Sequence, residues 1–226
     1  MHLSFLKALA VLFLSLLPAV AAHAAAPCPD TRLGQDWSPK CFETLGSRRQ
    51  VKQAYRSKLH FDRRGFVTVR IEDPLELVAV NRQGTVVVPG IYFWGDFDYP
   101  NAYGGISRFS VPSGAQARKC GYFEDTTFAV IVPPLYDNCS SFQDGEATVC
   151  NGCTKVCTDE DCHDSRFLGG DSLLTLDAKG RTIRKTGPQT IESICQDSPR
   201  PTVSHQDGHT IVDCDTPKDS PFQTPQ

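Results

Sequence analysis

The sequence contains little of several features that would reveal a function class directly. Of its 226 residues only one is Met and two are Trp, and the formal net charge is −3. Lys and Arg are scattered along the chain, so it offers no basic footprint for a phosphate backbone, and we expect no nucleic-acid partner. The 17 Gly and 16 Pro describe a turn-rich globular chain, which excludes collagen, a coiled coil and wholesale disorder.

Familiar catalytic motifs are absent as well. The chain has no Gly-x-Ser-x-Gly elbow, no His-Glu-x-x-His helix and no phosphate-binding glycine loop. We therefore predict no catalytic residue, no cofactor and no metal site, and we expect a binding module rather than an enzyme.

The first 24 residues predict an export signal. Lys7 supplies a fixed positive charge, and the apolar stretch from Ala8 to Val20 is shorter than the ~20 apolar residues of a membrane span. Ala22 and Ala24 place small side chains where a signal peptidase needs them, so we expect cleavage after Ala24. An uncleaved membrane anchor is the alternative. The mature protein is predicted to be periplasmic or secreted, with no membrane span after signal removal.

All ten cysteines lie in the predicted mature part. An even number of cysteines in an exported chain predicts up to five disulfides. The spacing leaves their connectivity open. The disulfide candidates are Cys28, Cys41, Cys120, Cys139, Cys150, Cys153, Cys157, Cys162, Cys195 and Cys214.

Four of these cysteines crowd into residues 150–162, and this cluster has three interpretations. It is a disulfide-stapled loop, a zinc knot built on the Cys-x2-Cys spacing, or a redox dithiol formed by Cys150 and Cys153. A redox dithiol normally has its first Cys at a helix N-terminus, which lowers the thiol pKa. The residues after Cys153 have no helical pattern.

Changes in composition and in apolar alternation divide the mature chain into three segments. These are an N-terminal segment 25–60, a β-repeat domain 61–185 and a Pro-rich polar tail 186–226. We predict one N-terminal helix over Glu43 to Leu59. Period-two alternation predicts a strand at Phe66–Ile71 and a hairpin around the turn Asn81–Gly84. Asp177–Gly180 repeats that turn later in the chain. The predicted fold class is mainly β, a short disulfide-stapled array of antiparallel β-hairpin repeats.

Self-comparison indicates an internal repeat. Val86–Pro89 aligns with Val130–Pro133 at a spacing of 44 residues. Units of roughly 40 residues that each contain a strand, a turn and a strand cannot bury their apolar faces alone, so they must stack on one another.

One stretch of the repeat resembles the bacterial WG-repeat family. Residues Lys119–Glu124, Val130–Asp137 and Phe142–Val149 are similar to the family pattern Trp-Gly-Tyr-Ile-Asp, Val-Ile-Pro-Pro-x-Tyr-Asp and Phe-x-x-Gly-x-Ala-x-Val. Cys120 stands where the family has its Trp. Leu77–Val111 is a degenerate unit and Leu173–Ile183 is the opening of an uncompleted one. The resemblance implies an array of β-repeats and no established catalytic residues.

A candidate binding loop joins aromatic rings to carboxylates. Rings that stack on apolar faces and carboxylates that accept hydroxyl hydrogens suit a saccharide or a peptide. The alternative is that most of these rings fill the repeat core. The candidate residues are Phe93, Trp94, Asp96, Phe97, Asp98, Tyr99 and Tyr103.

Three weaker candidates have simpler interpretations. Asp159–Asp161 with Asp164 could hold Ca²⁺, but a solvated acidic loop explains it, since the offsets and the Gly of a calcium loop are missing. His205, His209 and Asp213 could bind a metal, but His residues in polar tails are usually exposed. A basic patch over residues 48–58 is expected to be a solvated face.

The function predicted from sequence is an exported, non-catalytic binding or interaction module of the bacterial envelope or extracellular space. Its partner is predicted to be an envelope protein or a saccharide, and no oligomeric state is predicted. One alternative is an envelope enzyme, either a thiol-disulfide oxidoreductase at Cys150 and Cys153 or a hydrolase without a recognisable motif. Another is a purely structural envelope component, which would have no saturable ligand.

Overall fold

The computed structural model describes residues 28–95, 97–114, 117–159, 161–196, 200–206 and 208–214. The predicted signal segment, Asp96 of the candidate loop and Glu160 of the acidic loop lie outside these residues. Within them, no helix is both long and apolar enough to cross a membrane.

The protein is mainly β, as the alternating pattern predicts. One short α-helix, α1 (Ile191–Ile194), and four short 3-10 segments lie among the strands of the described part. The strands are β1 (Phe42–Leu45), β2 (Arg48–Val51), β3 (Phe66–Ile71), β4 (Glu76–Asn81), β5 (Val86–Ile91), β6 (Ile106–Pro112), β7 (Arg118–Glu124), β8 (Val130–Tyr136), β9 (Asn138–Cys139), β10 (Glu146–Cys150), β11 (Cys153–Cys157), β12 (Ser165–Gly169), β13 (Leu173–Asp177), β14 (Thr182–Thr186), β15 (Thr202–Gln206) and β16 (His209–Asp213).

The strands form four sheets within the described residues. The largest is a six-stranded antiparallel meander that runs β3-β4-β5-β6-β7-β8. Two four-stranded sheets follow, in the orders β14-β13-β10-β9 and β12-β11-β16-β15, and β1 with β2 makes a separate hairpin. Strands β11 and β16 are parallel neighbours, whereas the named pairs of the other sheets are antiparallel.

A three-stranded unit occurs three times, and one register shift is common to the three occurrences. Unit 1 is β3-β4-β5, unit 2 is β6-β7-β8 and unit 3 is β10-β13-β14. Units 1 and 2 contain an additional shift, between Leu77 and Ala79 and between Cys120 and Tyr122. In every unit the pairing of the second and third strands shifts at one equivalent place. The shifts follow Ala79↔Val88, Tyr122↔Val132 and Thr175↔Arg184. A bulge in one register position is a specified feature of a strand pair, so the internal repeat is structural as well as sequential.

The turns Asn81–Gly84 and Asp177–Gly180, which the sequence predicts to be equivalent, have the same geometry. The Asn81 side-chain carbonyl accepts the backbone N–H groups of Gln83 and Thr85 at 3.1 and 3.0 Å. Asp177 accepts those of Lys179 and Arg181, both at 2.9 Å. Short Asx side chains stabilise tight turns in this way. The prediction that Asp177–Gly180 is the equivalent of Asn81–Gly84 is therefore confirmed.

Unit 3 differs from the sequence interpretation. Leu173–Ile183 is not the opening of an unfinished unit, because β13 pairs with β10 over five residues and thereby completes a three-stranded unit. The cysteine-rich segment 151–172, with the hairpin β11-β12, is an insertion between the first and second strands of this unit. The insertion hid the unit, since it separates two strands that are adjacent in space.

The predicted helix over Glu43 to Leu59 is wrong. The chain forms the hairpin β1-β2 and then a short 3-10 segment, Gln53–Lys58. Residues 42 and 51 are buried in a cluster with Trp37 and with Val69 and Val78 of unit 1. Burial against a sheet therefore overrode a weak helical period. The described residues of the predicted Pro-rich polar tail contain α1 and the hairpin β15-β16.

Apolar clusters connect the units. Tyr122 and Val132 of unit 2 pack with Val149 and Leu176 of unit 3. On the other side, a second cluster combines Leu77, Ala79, Val88 and Ile91 of unit 1 with Phe109, Phe123 and Phe128 of unit 2. Each unit completes its core only with its neighbour, as stacking repeats require.

All ten cysteines pair within the described residues, which confirms the prediction of five disulfides. Cys120–Cys139 joins unit 2 to β9, and β9 pairs with β10 of unit 3. The multiple disulfides indicate an oxidising, exported environment. The pairs are Cys28–Cys41, Cys120–Cys139, Cys150–Cys153, Cys157–Cys162 and Cys195–Cys214.

Gly121 lies in β7 at a point where the backbone of the paired strand β8 comes unusually close. A Cβ at this position would lie 2.3 Å from the Val132 carbonyl oxygen and 2.8 Å from the Pro133 carbonyl carbon. These are backbone atoms of the paired strand, so neither can move aside cheaply. The glycine that follows Cys120 is thus required by strand packing.

We expect Gly121→Ala to lower the unfolding free energy by about 3 kcal/mol, because the added methyl group forces β7 and β8 apart. Urea unfolding with the disulfides intact measures it. Gly187→Ala is the matched control, since a Cβ there meets no atom within 4 Å, and its effect should stay within about 0.5 kcal/mol. Equal effects for the two variants would contradict the close approach of the β7 and β8 backbones at Gly121.

We expect the exported protein, alkylated after denaturation without reduction, to gain no alkyl group by intact mass, whereas prior reduction should expose all ten cysteines. The same spectrum tests the predicted cleavage after Ala24. Cys157→Ser is the labelling control, because it should release one thiol at Cys162. Labelling of two or more thiols in the unreduced wild type would refute the pairing.

Candidate functional site

The aromatic loop, residues 92–105, connects β5 of unit 1 to β6 of unit 2. Backbone hydrogen bonds join its first residue to β6 and to the middle of the loop: Tyr92 N–H donates to the Arg108 carbonyl and Tyr99 N–H donates to the Tyr92 carbonyl, both at 3.1 Å. Asn101 N–H donates to the Asp98 carbonyl at 2.7 Å. The loop therefore has a fixed base from which its side chains project.

The rings of the aromatic loop divide into two sets. Phe93 and Tyr99 pack against the cluster between units 1 and 2, and the Tyr99 ring centroid lies 5.7 Å from that of Phe128. By contrast, Trp94 is 74% exposed, Tyr103 57% and Phe97 37%. The core interpretation thus holds for two of the predicted rings, and three others face solvent.

Two of the exposed rings contact each other, and the third contacts a ring of the core set. Phe97 and Tyr103 stack with their centroids 5.1 Å apart and their planes 24° from parallel. Trp94 rests against Phe93 at 4.8 Å. Exposed aromatic pairs supply large, rigid contact area at a small cost in conformational entropy. This arrangement can hold a flat apolar face of a ligand.

Asp98 has a structural partner rather than a free carboxylate. It is buried, and Nε and Nη2 of Arg108 both donate to its Oδ1, at 3.0 and 2.7 Å. Arg108 Nη1 also donates to the Cys139 carbonyl at 3.0 Å. Breaking a buried ion pair is strongly destabilising, because the remaining charge is left buried without a partner. The expectation that Asp98 would accept hydroxyl hydrogens from a ligand therefore does not fit its position.

Sequence reasoning missed three residues at this site. Tyr92 is 39% exposed, and the Arg108 guanidinium lies over its ring at 4.9 Å from the centroid. Lys155 comes from the insertion strand β11. Partial burial lowers the pKa of Lys155, and the positive charge of Arg108 lowers it further, while Asp98 raises it. The insertion thus contributes a cation that interacts electrostatically with the Asp98–Arg108 pair.

One signal in the sequence could have identified Arg108. The equivalent positions of the three units are Thr68, Arg108 and Thr148, each 40 residues apart. Their partners on the second strand are Ala79, Tyr122 and Thr175. A charged side chain in mid-strand, where the other units have Thr, requires a partner. That partner is Asp98, ten residues earlier in the chain.

The cysteine cluster is a stapled insertion. Cys150 and Cys153 form one disulfide and Cys157 and Cys162 another. Cys150 and Cys153 are both buried, and Cys153 begins a strand rather than following a helix N-terminus. The position therefore lacks the helix that would stabilise a reactive thiolate.

The remaining candidates are also accounted for by local structure. Asp159 accepts the backbone N–H groups of His163 and Asp164, both at 2.8 Å, so its carboxylate shapes the loop. Asp164 pairs with Arg166. Among the described residues, the grouping nearest a metal site is Cys157, Cys162 and His209, and the two sulfurs there are bonded to each other.

Comparisons of the chain with protein-family models, with curated proteins and with solved structures find no match.

We expect Arg108→Gln to destabilise the protein by about 3 kcal/mol, because it leaves the buried Asp98 carboxylate without its charged partner. Arg166→Gln is the matched control: it removes the same charge from an exposed pair, with side chains 48% and 52% accessible, and should cost less than about 1 kcal/mol. Urea unfolding compares the two. Similar losses would mean that the Asp98–Arg108 pair does not anchor the loop.

Proposed function

We propose that this protein is an exported, non-catalytic binding module of the bacterial envelope or extracellular space, and that the aromatic loop is its binding surface. The observation that carries the proposal is the set of solvent-facing rings, Trp94, Phe97 and Tyr103, on a loop whose base is anchored by the buried Asp98–Arg108 pair. Exposed apolar surface kept on a rigid support is typical of recognition sites.

The ligand class follows from the groups present. The exposed rings offer stacking area, and Tyr92 and Tyr103 add hydroxyl groups. Lys155 supplies a nearby positive charge. A sugar ring presents an apolar face with polar edges, and it fits such a surface; a segment of an envelope protein with aromatic or aliphatic side chains is the second ligand class.

The architecture supports a scaffold role for the remainder of the chain. Three stacked units with one shared bulge position favour membership of the WG-repeat family as a proposal, since that resemblance implies arrays of β-repeats. The side chains of the units fill cores between them. In such a scaffold the recognition chemistry lies on the loops that join the units.

We expect a ligand of the aromatic loop to change the fluorescence of Trp94 and to lose about tenfold or more in affinity in Trp94→Ala, because a central aromatic contact dominates such surfaces. The other tryptophan, Trp37, is fully buried, so the signal reports on the loop. The titration uses β-linked N-acetylglucosamine oligosaccharides as the saccharide probe. To test a protein ligand, the wild type and the variant are each immobilised, and the proteins that each one retains from an envelope extract are compared.

Leu135→Ala is the matched control, because Leu135 is an exposed apolar side chain on β8, outside the aromatic loop. It should leave the fluorescence titration and the retained proteins unchanged. The proposal fails if Trp94→Ala and Leu135→Ala behave alike in both arms, or if neither arm yields a saturable signal from wild type.

A further inference from the structure

A groove lies at one end of the six-stranded sheet, where turns of units 1 and 2 meet. Its volume is about 350 Å³. Phe66, Val87 and Phe128 line its apolar side, and Arg64, Arg82 and Gln83 line its polar side. The exposed rings of the aromatic loop take no part in it, so the groove is a separate feature of the surface.

The apolar side of the groove depends on an unusual residue. Phe128 occupies the place in unit 2 that Gly84 occupies in unit 1, since each lies two residues before the partner of the bulge, Val130 or Val86. Both have a positive φ, +52° for Phe128 and +78° for Gly84. A bulky side chain rarely adopts this backbone conformation. Strained positions of this kind concentrate where a structure holds ligands.

The strained backbone places the Phe128 ring at the centre of an aromatic floor. Its centroid lies 5.1 Å from that of Phe66, 5.7 Å from that of Tyr99 and 5.7 Å from that of Phe123. Phe128 is 4% exposed, and the Arg64 guanidinium lies over its ring at 5.7 Å from the centroid, so the ring supports the groove from beneath. The apolar surface that a ligand can reach is supplied by the half-buried Phe66 and Val87.

The two arginines of the polar side have different roles. Arg64 is fixed: its Nε donates to Asp62 at 2.7 Å, and its Nη1 donates to the carbonyls of Asp125 and Thr126, both at 3.1 Å. Asp62 balances its charge. Arg82 lies over the Phe61 ring at 6.0 Å. Among the described residues no carboxylate pairs with Arg82, so the groove carries an unbalanced positive charge.

We infer that this groove binds an organic carboxylate, with the apolar group of the ligand against Phe66 and Val87 and its carboxylate paired with Arg82. The planar guanidinium presents two parallel N–H groups that match the two oxygens of a carboxylate. An apolar wall beside one cation selects a ligand that has both groups. A cavity of about 350 Å³ accepts a residue-sized molecule.

This chemistry has two sources, a small organic acid and the C-terminal end of a peptide, and the probes distinguish them. N-acetyl-L-phenylalanine represents the acid, and N-acetyl-L-phenylalaninamide lacks only the charge. N-acetyl-Gly-Gly-Phe with a free carboxylate represents a chain end. Tighter binding of the peptide than of the single residue assigns the groove to chain ends, and weaker binding assigns it to small acids.

Isothermal titration of the full mature protein tests the inference. We expect N-acetyl-L-phenylalanine to bind at least about tenfold more tightly than its amide, since one charge-assisted pair is worth about that factor. Arg82→Gln should remove this preference and leave the amide unchanged. Arg63→Gln is the matched control for net charge, because Arg63 is exposed and lies outside the groove lining; it should keep the tenfold preference.

Amide NMR locates the site independently of affinity. Addition of N-acetyl-L-phenylalanine should shift the resonances of Gly65 and Gln83, which line the groove, and leave Gly187 unchanged. The inference is overturned if no saturable binding occurs, if Arg63→Gln and Arg82→Gln weaken binding equally, or if the shifts fall elsewhere. Trp94→Ala should not alter this binding, so failure here and failure of the aromatic-loop proposal are separate results.

Discussion

The fold depends on one constraint: a three-stranded unit of this size cannot bury both of its faces alone. Unit 1 shares a core with unit 2 through side chains such as Val88 and Phe123, and unit 2 shares another with unit 3 through Tyr122 and Leu176. In units 1 and 2 the residue pairs at the shared register shift, Ala79 with Val88 and Tyr122 with Val132, are buried, whereas the third strand of unit 3 is exposed along its whole length. A change of one residue in register would turn those buried side chains to solvent.

The disulfides and the insertion add covalent links and an extra hairpin to the stacked units, and strands β10 and β13 of unit 3 still pair in register. Cys120–Cys139 links unit 2 to the strand that pairs with unit 3, next to the shared core. The insertion 151–172 interrupts unit 3 between two strands that still pair over five residues. It brings Lys155 towards the Asp98–Arg108 pair. Both candidate sites therefore lie on connections between strands, and the stacked units hold those connections in place.

Local sequence signals predicted the elements that local physics controls. The alternation of Phe66–Ile71 and the turn Asn81–Gly84 appear as expected. The helix over Glu43 to Leu59 was wrong because Phe42 and Val51 gain more from burial against unit 1 than from a helical period. The completed third unit escaped prediction because pairing of β10 with β13 spans an insertion, and no local pattern encodes that contact.

The sequence by itself determined that the chain is β-rich, repetitive and disulfide-bonded, because side-chain period, turn residues and an even cysteine count act over short distances. It also indicated which loop carries the rings. Tertiary structure alone decided that Phe93 and Tyr99 are core, that Trp94, Phe97 and Tyr103 are exposed, and that Asp98 belongs to Arg108. Burial and ion pairing are properties of neighbours brought together by stacking, and those neighbours are distant in the chain.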